Sequence, residues 1–137
     1  MADPAIQTRY LDGPGWKSTG HAVAFWIPAL FGLPVMVCAW FLLPFVSLEE
    51  VTEQGKAEAT GTTMAGMTLY FAVIPLIIAH VLGLVILGAI AITGRHPHRS
   101  GVLHAVAAVV IASAIGVAVA LLVSGGELIA PPSRYAP

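Results

Sequence analysis

The sequence predicts an all-α integral membrane protein of three transmembrane helices, with its N-terminus cytoplasmic and its C-terminus outside. Three observations carry that expectation. Of 137 residues, 58% are hydrophobic and only 9% are charged, and the mean hydropathy is +0.89. Soluble domains carry about 25% charged residues, so there is too little polar surface here to coat a water-exposed globule. Uncharged runs cover 22–48, 59–94 and 102–126, each longer than the roughly 20 residues that cross a hydrocarbon core of ~30 Å. Charge and turn-forming residues gather between those runs. Because backbone in hydrocarbon satisfies its N–H and C=O groups only in a helix or a closed barrel, three such runs mean three helices.

The elements follow in order. Residues 1–21 form a cytoplasmic N-terminal arm whose "DGPGWKSTG" is dense in glycine and proline, a composition for extended chain. Helix 1 covers 22–48. It is about twice as long as a signal-peptide core and begins late, so it is read as retained. Pro28 and Pro44 lie near its ends, whereas Pro34, after Gly32, removes a backbone donor near the middle and predicts a kink among Phe31, Met36, Trp40 and Phe41. The segment 49–65 holds four of the seven acidic residues and reads as an external loop. Helix 2 covers 66–93. A basic cytoplasmic turn, "RHPHRSG" within 94–101, then places Pro97 and Gly101 as stops on either side. Helix 3 covers 102–126, and the external tail 127–137 carries a proline pair that cannot continue it.

Orientation follows from positive charge. Arg95 and Arg99 lie in the second turn and Arg9 and Lys17 in the arm, against Lys56 alone in the acidic segment. Phe25 and Trp26 then mark the inner interface, and Trp40, Phe41, Phe45, Tyr70 and Phe71 the outer one.

Several function classes are disfavoured. A net charge of −1 shows no bias toward nucleic acid, and the single Cys38 excludes intrachain disulfides and thiolate metal sites. The sequence has no Gly-rich phosphate loop, no HExxH and no carboxylate within a span. Three spans cannot form an inverted-repeat transporter within one chain.

His80 is the residue that asks for an explanation, a titratable ring inside "LIIAHVLGLVILG". It lies fifteen residues before Arg95, about 22 Å inside the membrane at 1.5 Å per residue and so close to the midplane. Three readings stand: a neutral hydrogen-bond partner to a neighbouring helix, an axial ligand to haem b, or an element of a proton relay. His104, roughly 7 Å inside, and His21, at the entrance of helix 1, lie at other depths, so any haem ligated by His80 needs its second ligand from another subunit. His21 and His104 read as interface residues.

The turn residues Arg95, His96, His98 and Arg99 supply too few ligands for zinc. They suit contact with anionic lipid headgroups or an acidic partner, or serve only to set topology. On helix 3, Ala108, Ala112, Gly116, Ala120 and Ser124 repeat every four residues, a small-residue ladder that permits close helix approach. Ala79 and Gly83 flank His80 in the same way on helix 2. The ladder packs the chain's own helices, with length to seat a partner helix as well.

The functional expectation is a non-catalytic accessory subunit of a larger, energy-transducing membrane complex of the respiratory type, in a prokaryotic plasma membrane and without a cofactor of its own. Its partners are other integral membrane subunits and anionic headgroups at the cytoplasmic face. The alternative comes from a resemblance: three helices, an inside N-terminus and His80 halfway along helix 2 resemble the membrane-anchor subunits of succinate dehydrogenases. That resemblance implies haem b held through His80, with quinone nearby. Where those anchors tend to carry polar residues for quinone, Ile90, Ala91 and Ile92 stand here. A small homo-oligomeric channel or transporter is the third reading, for which only Ser113 and Ser124 offer polarity on helix 3.

Overall fold

A computed structural model describes residues 15–96 and 98–131, leaving the His96 side chain undescribed. The order of elements is β1 (Gly15–Trp16), α1 (Thr19–Ala59), a π-helical turn (Leu69–Val73), α2 (Ile74–Gly94), β2 (Arg95–His96) and α3 (His98–Val123). All three helices are long and apolar enough to cross a membrane. The chain is therefore a multi-pass, all-α membrane protein. Residues 1–14 of the arm and 132–137 of the tail lie outside the described residues.

Helix α1 starts at an N-cap. Ser18 is extended, with φ −157° and ψ 161°, and its Oγ accepts the His21 N–H at 3.3 Å, satisfying one of the donors that every helix start leaves open. The helix then runs unbroken through Pro28, Pro34 and Pro44. It also runs past the predicted acidic loop, and residues 49–59 are helical. At 41 residues it is roughly 60 Å long, twice the hydrocarbon thickness. Local pairs account for the extension: Lys56 meets Glu53 at 2.8 Å and Gln54 Nε2 donates to Glu58 Oε1 at 2.7 Å, both at helical spacing. The stop is Gly61, whose φ of 73° closes the helix in the left-handed region.

The remaining connection is held by that extension. The Glu50 carboxylate accepts the Gly66 N–H at 3.0 Å and the Thr68 N–H at 2.7 Å. Gln54 Oε1 accepts the Met64 N–H at 2.8 Å. The second span opens at Leu69 rather than residue 66, with a π turn in which the Ile74 N–H reaches back to Leu69 O. Pro75 follows directly, and its missing N–H gives the physical reason the regular ladder is interrupted there.

At the basic end, α2 ends at Gly94 and α3 begins at His98. The turn is thus shorter than 94–101, and Gly101 lies inside α3 rather than stopping it. A Cβ at Gly101 would stand 2.5 Å from the Ala91 carbonyl oxygen, so the missing side chain here lets the two backbones approach closely. Strand β1 pairs antiparallel with β2, Gly15 opposite His96 and Trp16 opposite Arg95. The arm is thereby clipped to the turn.

Two apolar clusters are stacked along the bundle. Phe25, Met36, Leu87, Ala91, Ala105 and Val109 fill the half toward the basic turn, and Leu43, Val46 and Ala72 fill the half toward the acidic end. The segment after α3 folds back on the second cluster through Leu128, and the Ala130 N–H donates to buried Ser47 Oγ at 2.8 Å.

Candidate functional site

Between the two clusters, one polar group from each helix meets. Trp40 Nε1 on α1 lies 2.9 Å from Ser113 Oγ on α3, and His80 Nε2 on α2 lies 2.9 Å from the same oxygen. His80 Nδ1 lies 2.8 Å from Leu76 O, one turn earlier. The indole and imidazole rings stand edge to face, 6.2 Å between centroids at 83°.

Donor and acceptor roles follow from what each atom can do. The Leu76 carbonyl only accepts, so Nδ1 carries the proton. In a neutral imidazole Nε2 is then an acceptor, and the Ser113 hydroxyl must donate to it. The indole N–H only donates, and it enters the remaining lone pairs of Ser113 Oγ. The result is a directed chain, Trp40 N–H to Ser113 O–H to His80 Nε2, then His80 Nδ1–H to Leu76 O. Both ring nitrogens of His80 are engaged within the chain. Such a network polarises itself cooperatively in a low-dielectric setting, where an unpaired polar group is costly.

Sequence reasoning singled out His80 but missed its partners. Trp40 was expected at the outer interface; instead it reaches inward and packs against both clusters. The signal for Ser113 was depth. His80 lies fifteen residues before Arg95 and Ser113 fourteen after Arg99, so two antiparallel helices joined by that turn bring them level.

The small-residue ladder serves the chain's own packing. A Cβ on Gly116 would stand 2.6 Å from Trp40 Cδ1 and 3.1 Å from Met36 O. Ala120 is wholly buried, and Ala108 and Ala112 pack against the first cluster. Ser124 is half-buried at the far end of the ladder, its hydroxyl turned to Leu121 O at 3.4 Å. On α2, Gly83 faces Val109 of α3, with a Cβ 3.3 Å from Val109 Cγ2. Half-buried Ala79 lines, with Gly83, Pro28, Gly32 and Ala112, an apolar cavity of about 320 Å³. A wider groove of about 670 Å³ runs between α2 and α3, with His80 and Ser113 in a wall otherwise formed by Leu84, Val106, Ala114 and Val117 among other apolar residues.

The basic residues divide. Arg95 is buried, its guanidinium 5.0 Å above the Trp16 ring, whereas His98 and Arg99 are exposed. His96 takes part in β2 through its backbone. His104 is half-buried, with Nδ1 2.7 Å from Ser100 O, and His21 places Nδ1 2.7 Å from Ser18 Oγ. Among the described residues no three His, Cys, Asp or Glu side chains gather to hold a metal ion.

Comparison with protein families, with curated proteins and with solved structures returns no match for this chain.

Proposed function

We propose that the chain is a non-catalytic accessory subunit of a larger membrane complex, of the energy-transducing, respiratory kind, and that its midplane polar network holds its helices in register. The observation that carries this reading is the closed hydrogen-bond chain around His80. The ionisable group expected to mark chemistry within the spans is joined at both nitrogens to its own chain. For haem ligation, Nε2 would have to leave Ser113 and turn outward, and the Ser113 hydroxyl, still bonded to Trp40, would lose its second partner. Shape supports the same reading. In the most apolar part of the second span only 11% of residues are buried inside the chain, and 28% and 22% in the other two. Large side chains such as Ile77, Val81 and Val85 therefore look outward, onto lipid or onto neighbouring subunits, where close van der Waals packing drives helix association.

The test is purification of the tagged full chain in gentle detergent, with identification of whatever accompanies it and an absorption spectrum of the reduced sample. The expected result is a set of co-purifying membrane subunits that His80→Ala retains, with any haem band unchanged. Disappearance of a haem band in His80→Ala would give the anchor reading instead, and solute flux through the lone chain in liposomes would give the channel reading.

A further inference from the structure

The basic end of the bundle brings cationic groups from separate segments onto the last turn of α2. Lys17 donates from Nζ to Thr93 O at 2.7 Å and from its backbone N–H to Gly94 O at 2.9 Å. His98, at the head of α3, sets Nδ1 2.8 Å from Ile92 O. These carbonyls are the negative end of the α2 dipole, where cations are favoured. Arg95 follows at once, and Arg99 is the second residue of α3. The charged and titratable side chains that face this end from the described parts of the arm, α1, α2 and α3 are Lys17, His21, Arg95, His98, Arg99 and His104. No described acidic residue is among them, because Glu49, Glu50, Glu53, Glu58 and Glu127 all belong to the opposite end.

One further feature identifies what such a face would bind. Exposed apolar side chains, Val23 and Trp26 on α1 and Val102 and Leu103 on α3, lie in the opening turns of the two helices that start at this end, so charge and hydrocarbon are offered at the same end. That pairing fits an amphiphile with an anionic head.

We propose that the basic end is a binding face for the phosphodiester headgroups of anionic phospholipid. Lys17 and Arg99 are its exposed cations. Each charge near an anionic leaflet strengthens attraction about fivefold, an effect that salt screens.

The experiment uses the full chain in neutral-detergent micelles doped with phosphatidylglycerol or phosphatidylcholine. It reads lipid retention by native mass spectrometry and the shift in thermal midpoint. Phosphatidylglycerol is expected to be retained and stabilising where phosphatidylcholine is not, and less so at high salt. Lys17→Gln and Arg99→Gln each weaken retention about fivefold, while Lys17→Arg restores it and so separates charge from folding. Equal retention of the two lipids, or retention untouched by both Lys17→Gln and Arg99→Gln, overturns the proposal. Tighter binding of poly-glutamate than of phosphatidylglycerol also overturns it and assigns the face to an acidic protein.

Discussion

Ser113 is the residue on which three helices depend. Its single hydroxyl accepts from Trp40 and donates to His80, so Ser113→Ala leaves an indole N–H and an imidazole nitrogen unpaired together. The expected loss is about 1–3 kcal/mol, read as a shift in a detergent unfolding titration. Combined with Trp40→Phe, the loss is expected to fall short of the sum of the two single substitutions, because they remove members of one network. His80 was legible as the exception in an apolar run. Trp40 was not, because an aromatic residue in a span has the same composition signal whether it meets lipid headgroups or a serine on the next helix. Gly116 was legible as a rung of a ladder, but spacing alone does not say whether a ladder faces its own chain or another.

At the scale of the element, α1 shows where hydropathy reading stops. The change from apolar to charged residues at 48–49 marks the end of a membrane span, and it was read as the end of the helix as well. Helical propensity and pairing at i+3 and i+4 carry the backbone on to Ala59, where Thr60 and Gly61 close it. The polar extension also holds the next connection. Hydrogen bonds from Thr68 and Gly66 lower the pKa of Glu50 below its ordinary value, with partial desolvation opposing them. A carboxylate whose folded pKa is depressed contributes stability above its unfolded pKa and loses that contribution as pH falls through the folded one. Unfolding of the chain in detergent is therefore expected to be easier below about pH 4.5 than at pH 7. Glu50→Gln should lower stability at pH 7 and flatten the acid dependence, and a slope unchanged in that variant would contradict the assignment. The same logic explains the short basic turn: Gly101 looked like a helix stop, yet it is a helical residue required by the Ala91 carbonyl beside it.

For the whole molecule, the number of spans and their order were readable because the bilayer imposes a length and an apolar composition on anything that crosses it. The rotation of each helix was not, since all sides of these spans are apolar and small residues lie on several faces. That distinction separates two substitutions. Gly116→Leu drives a side chain into Trp40 and the Met36 backbone and is expected to cost about 1–3 kcal/mol or more of the chain's own stability. Val85→Trp, on the exposed side of α2, is expected to leave the isolated chain's unfolding unchanged and to reduce the yield of co-purifying subunits. Both effects are checked by one purification with a thermal melt of the released chain.

His80 bridges Leu76 O and Ser113 Oγ through its two ring nitrogens, and nitrogen NMR of histidine-labelled protein in its native complex tests that bridge most directly. The expected spectrum assigns His80 a protonated Nδ1 and an unprotonated, hydrogen-bonded Nε2, with a correlation to the Ser113 hydroxyl proton. A ring ligated to iron through Nε2, or one protonated at Nε2 with Nδ1 bare, would contradict it.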